Sequence, residues 1–311
     1  MDLSKFTPTE WAAFFGVLLS TIIAGTSAIK FLVKKFKERR ERAKFDIGKL
    51  PMTYTSEQVE ELNRGCEDVL RALEELWLTL ARDFAPTLTV ERAREYVGHG
   101  ICRRLKTIRS CIENIFTIFP AGRTELLSEE ERSNVQINLH AFFINIHGVP
   151  DNLAWAYVIE KSLEMKIEGG RNGIGLFHKN TKPHLPDQVC DYLYSEPIKS
   201  WQKDYAKNYR DALAHRIPPY IPPSIQGPTQ QERYKELDHQ ITEAVKHGNF
   251  DHAQTLTEEQ DTIGAICPAF LHSFLDTTAC SPVLMHPQII VDAKTVMEII
   301  SKVRPHFAFS P

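Results

Sequence analysis

Along almost its whole length this chain places apolar residues three or four positions apart, and that spacing leaves it little to fold into except helices. The first clear case follows Thr55-Ser56-Glu57, a helix-start signal. Val59, Leu62, Cys66, Val69, Leu70, Leu73, Leu76, Trp77 and Leu80 then share one face, and Pro86 supplies the stop. A second helix is expected over 89–119, turning Tyr96, Ile101, Leu105, Ile108, Ile112, Ile115 and Phe116 inward before Pro120. A third covers 129–147 with Val135, Leu139, Phe142, Phe143 and Ile146 inward. Gly148-Val149-Pro150 reads as a tight break, with Asp151 as N-cap of a fourth helix over 152–168.

The glycine-rich stretch 169–175 reads as a flexible linker, and Ser195-Glu196-Pro197 opens a helix that ends at His215. A Pro-rich run, 217–228, follows. Helices are expected over 231–247, 251–275 and 287–303, with no internal repeat and no sustained strand alternation. The expectation is an all-α protein: an antiparallel helical bundle over 55–216, a Pro-rich linker over 217–228 and a C-terminal helical extension over 229–311.

The N-terminus obeys a different rule. Trp11 to Ile29 contains 19 consecutive uncharged residues, about 28 Å of helix against a hydrocarbon core of about 30 Å. Lys30 can snorkel, so the span extends to Val33, leaving 1–10 as a short tail. Residues 34–44 are strongly basic, and 34–54 join the span to the bundle. The positive-inside bias predicts a single-pass inner-membrane protein with its body in the cytoplasm. The same basic residues suit anionic lipid. Residues 1–44 carry nine Lys/Arg against four Asp/Glu, a balance of +5 within a total of −3, so 45–311 stand at −8. A body that acidic is a poor general polyanion binder, and contact with nucleic acid must rest on a local patch.

Motifs for most enzyme chemistry are missing. Six scattered cysteines include no C-x-x-C pair, and no Gly-x-Ser-x-Gly or phosphate-cradling glycine loop with its lysine occurs. A lone Glu-x-x-His, Glu236 to His239, falls short of the paired motif of metal-binding bundles, so neither metal nor cofactor is expected. His140 and His147 read as core or rim histidines beside Leu139 and Phe143. Arg210 and His215, at a helix end, have the chemistry for a phosphodiester. Histidine moves protons near neutrality, and arginine offers a planar donor fork to phosphate. Five positions put them about 140° apart around an ideal helix, a separation closed only by unwinding. Read structurally, the two simply answer the helix dipole and nearby acids.

Arg210-Asp211 followed by three residues and His215, on the last helix of an α-bundle, resembles the R-polar-x(3)-H motif of the HEPN superfamily. The segment from His140 to Trp155 also resembles the helix–turn–helix preceding that motif in bacterial members, and the likeness covers about 55–225. It implies a homodimer with two motifs facing one cleft. It also implies metal-independent RNA cleavage by 2′-hydroxyl attack, leaving a cyclic phosphate, in defence or toxin-type settings. Arg210 would then stabilise the phosphate, His215 act as acid or base, and Asp211 orient the motif. Asn145, Asp151 and Asn152, with Arg103 and Lys106 from the basic cluster on the second helix, are added as candidate RNA contacts. The rival expectation is a membrane-tethered helical scaffold or binding module in which Arg210 and His215 are structural.

Overall fold

A computed structural model describes residues 53–272 and 281–307. The apolar run 11–33 and the basic run 34–44 lie outside the described residues, among which no helix is long and apolar enough to cross a membrane. The described chain is mostly helical, as its spacing requires.

Helix α1 (Ser56–Thr79) starts at a capping box: the Thr55 hydroxyl accepts from the Gln58 N–H, and Gln58 accepts from the Thr55 N–H. It buries Leu62, Val69 and Leu73 completely. Helix α2 (Glu91–Glu95) runs through one widened turn, Tyr96–Ile101, into α3 (Cys102–Ile118). Helix α4 (Glu129–Glu160) is the long central element, packed against α3 along its length.

The sequence led us to expect a break at 148–152, and there is none: Pro150 and Asp151 sit inside α4. A proline in a helix interior forfeits a hydrogen bond and costs about 3 kcal/mol in isolation. Here Val149, Pro150, Leu153 and Ala154 are all buried, so packing of the apolar face overrides local propensity.

Glu160, the last residue of α4 and almost fully buried, receives the N–H of Thr89 (2.7 Å), the N–H of Val90 (3.1 Å) and the Thr89 hydroxyl (2.8 Å). It thus caps α2, which has no capping side chain of its own. Burial works to raise its pKa, but these donors outweigh burial and hold the carboxylate below its usual range. Glu160→Ala strips three donors of their charged partner. It is expected to cost about 2–3 kcal/mol, read as a lower urea midpoint in a denaturation series.

Short helix α5 (Asp187–Leu193) leads to α6 (Glu196–Trp201), which continues through a second widened turn, Gln202–Ala206, into α7 (Lys207–His215). Helices α8 (Pro228–Lys246) and α9 (Phe250–Asp261) form an antiparallel hairpin. The helix expected over 251–275 therefore ends early. Gly264 takes a φ of 110° and Pro268 follows, and the run from Ile266 to Leu271 is buried throughout, the pattern of a strand.

Residues Ala269–His272 form β1, paired antiparallel with β2 (Ser281–Leu284) in the register Ala269 to Leu284. The Pro-rich run is more than a linker. Tyr220 exchanges two backbone hydrogen bonds with Leu271 (3.0 and 2.8 Å), and Ile225 does the same with Ala265 (2.8 and 2.9 Å). Its approach is fixed from α4, where His140 meets the Pro219 carbonyl at 2.7 Å and Gln136 accepts from the Ile221 N–H at 3.2 Å. The final helix, α10 (Met285–Val303), returns to the bundle and packs against α1 and α4. Its Ile289, Val296, Ile300 and Val303 belong to the same core as Leu62 and Phe143, so the last helix is part of the bundle, not an appended one.

Candidate active site

A cavity of about 350 Å³ opens between α4 and the α6–α7 segment and is closed on one side by the 174–178 loop. Helix α4 contributes His147, Pro150, Asp151 and Trp155, one face of a helix that does not stop at Pro150. Opposite them stand Trp201, Gln202, Ala206, Lys207 and Arg210. The loop is built, not a flexible linker. A side chain at Gly173 would meet the Glu168 carbonyl at 2.2 Å, and the buried Thr181 hydroxyl accepts from the Gly175 N–H (3.1 Å) and donates to the Gly173 carbonyl (2.8 Å). That clamp holds Phe177 and His178 at the cavity.

The cavity has a charged end. His147 Nδ1 lies 3.5 Å from an Asp151 carboxylate oxygen, one helical turn on. Burial depresses the imidazole below the ordinary histidine value; Asp151 and Asp211 draw it up, while Arg210 and Lys207 push it down. The ring is therefore neutral at pH 7. Asp151 shifts the other way, because burial outweighs the attraction of His147, Arg210 and Arg104; its half-exposed side chain keeps that rise in check. Arg210 pairs with Asp211 at 3.0 Å and faces the same space. At His178 the Nδ1 accepts the Asn180 N–H at 3.2 Å, which fixes the ring against the loop.

Behind this end Arg104 crosses α4 at Gly148, where any Cβ would lie 2.4 Å from the guanidinium carbon. The crossing lets it donate to Asn152 (2.7 Å) and Asn145 (3.1 Å). The sequence candidates therefore divide. Asn145, Asp151 and Asn152 gather around Arg104 and Arg210. Arg103 is exposed and does not line the cavity, and Lys106 leaves for α1, its ammonium 3.9 Å above the Trp77 ring.

His215 is not beside Arg210. Helix α7 stays wound to its end, where the Arg216 N–H bonds to the Ala212 carbonyl at 3.0 Å, so the separation of about 140° persists. His215 is exposed and away from the cavity.

No family model, curated protein or solved structure matches this chain. The chemistry open to the cavity is that of its own side chains. Among the described residues no group of three or more His, Cys, Asp and Glu stands in position to hold a metal ion. Sequence reasoning missed Lys207, His178 and Arg104, and took His147 for a rim residue. The available signal was the His147–Asp151 spacing of four, hidden by reading Gly148 and Pro150 as a turn.

Proposed function

We propose that this chain is a metal-independent, RNA-cleaving phosphodiesterase acting in the cavity between α4 and α7, with Arg210 of the HEPN-like motif at the phosphate and His147 serving in place of His215. The observation that carries the reading is the convergence of His147, Asp151 and Arg210 on one water-accessible site, with the imidazole held neutral. Arg210 and Lys207 receive the non-bridging phosphate oxygens and offset the charge that grows on them. Asp151 faces His147 Nδ1 and favours the tautomer with a free Nε2, which takes the proton from the ribose 2′-hydroxyl. The 2′-oxygen bonds to phosphorus while the bond to the 5′-oxygen breaks. That leaving oxygen takes a proton from water in the open cavity, and the His147 imidazolium gives its proton to the hydroxide left behind. The products are a 2′,3′-cyclic phosphate and a 5′-hydroxyl, and His147 returns to its neutral form.

In this reading the apolar run 11–33 tethers the enzyme to the inner membrane, the basic residues 34–44 lie against anionic lipid, and the body works in the cytoplasm, as the homodimer that the HEPN likeness implies. The test is incubation of the full chain, in detergent micelles with excess EDTA, with a mixed-sequence RNA. Cleavage leaving cyclic phosphate ends is expected, and Arg210→Ala should reduce it at least 100-fold. An RNA left intact by the wild-type chain, with and without added divalent ions, would favour the non-catalytic scaffold instead.

A further inference from the structure

The two walls of the cavity are antiparallel, since Phe143 of α4 meets Tyr209 of α7 with ring centroids 4.4 Å apart while His140, one turn earlier on α4, meets Pro219 beyond the end of α7, and this gives the cavity two chemically distinct ends. His147 lies within electrostatic reach of Lys207, Arg210 and Asp211, so the first turn of the α4 wall meets the last turn of the α7 wall. Eight residues further along α4, about 12 Å, stands Trp155. Nine residues back from Arg210, about 13 Å along the other wall, stands Trp201. The far end is therefore aromatic, and Phe177 of the loop lines the same cavity.

These rings are held in place. Tyr96 stacks on Trp155 with centroids 5.6 Å apart and planes 8° from parallel. The Trp201 indole N–H donates to buried Asp292 at 2.8 Å, and Gln288 holds the same carboxylate oxygen at 2.7 Å. Trp155 and Phe177 remain only partly buried although both are large and apolar, which is the exposure of a wall and not of a core.

We infer that the aromatic end is a base-stacking subsite, so that the cavity takes one unstacked nucleotide with its base against Trp155 and Phe177 and its phosphate at Arg210 and Lys207. This rests on the phosphodiester reading above and adds the part of the substrate that the charged end leaves unspecified. A π-face accepts any base, so the subsite selects for an unpaired base and not for a sequence. A paired base is turned inward in a duplex and cannot reach the rings without being extruded. The same chemistry is presented by a free nucleotide and by a nucleotide within a single strand.

Calorimetric titration of the full chain in detergent micelles separates these cases. Adenosine 5′-monophosphate is expected to bind at least tenfold more tightly than ribose 5-phosphate. Phe177→Ala should erase that difference while leaving ribose 5-phosphate unchanged, and Trp155→Ala should do the same if the variant keeps its melting temperature. Equal affinity of the two phosphates would overturn the base subsite while sparing the phosphate site. Binding of neither would overturn the phosphodiester reading on which it rests. A 12-nucleotide single-stranded RNA, made uncleavable by 2′-deoxy substitution, is expected to displace the nucleotide where its duplex does not. Displacement by both strands alike would overturn selection for an unpaired base, and displacement by neither would overturn the strand as source in favour of a free nucleotide.

Discussion

His147→Ala is expected to lower RNA cleavage by roughly 10²–10⁴-fold, the usual contribution of a positioned general base, while His215→Ala changes it by no more than a few-fold. The contrast follows from position. His147 stands 3.5 Å from Asp151 and shares the cavity with Arg210, whereas His215 is exposed at the far side of α7. Rates of the purified variants on one labelled RNA measure it directly. The pH profile adds a second readout. A base must be neutral to accept a proton, and burial holds the His147 pKa below its ordinary value of about 6.5. The acid limb of the wild-type profile should therefore fall below pH 6.5, with activity lost as pH drops through it. The reverse pattern, a dead His215→Ala and an active His147→Ala, would move the chemistry to the end of α7 and to a cleft between two copies.

How the helices lie was legible because their apolar spacing is a consequence of burial on one side, and burial is what the fold is made of. The α1 face from Leu62 to Leu80 and the α3 face from Ile101 to Ile115 are buried as their spacing requires. The site was less legible because it depends on one local decision that tertiary packing reverses. Gly148 and Pro150 are turn residues by every local criterion, yet in α4 the glycine is there to let Arg104 cross and the proline is buried in the wall of the cavity. Once they are read as a turn, His147 and Asp151 fall on different helices and their pairing disappears. His178 was beyond reach for another reason. It sits in an irregular loop clamped by Thr181, and no periodicity reports on such a segment.

Ending the chain at Leu284 is expected to abolish cooperative folding, a sharper outcome than losing an appended helix would give. Helix α10 carries Ile289, Val296, Ile299, Ile300 and Val303, each fully buried in the core that α1, α3 and α4 also line. Complete burial of an aliphatic side chain is worth about 1.5–3 kcal/mol. Five of them reach the whole stability of a typical domain, roughly 5–15 kcal/mol. Truncation would also uncover the apolar flank of α4 and leave Trp201 without Asp292, disturbing the cavity wall from behind. The milder Ile300→Ala should cost about 2–5 kcal/mol, the range for a large-to-small change in a packed core. Thermal melts followed by far-ultraviolet circular dichroism distinguish the alternatives. A truncated chain that still melts cooperatively at the wild-type temperature would show that the bundle closes without its last helix. The reason to expect otherwise lies in the order of the chain. The elements that frame the cavity are complete by residue 215, but the hydrophobic face of α4 they rest on is covered only when the last nineteen-residue helix returns to it.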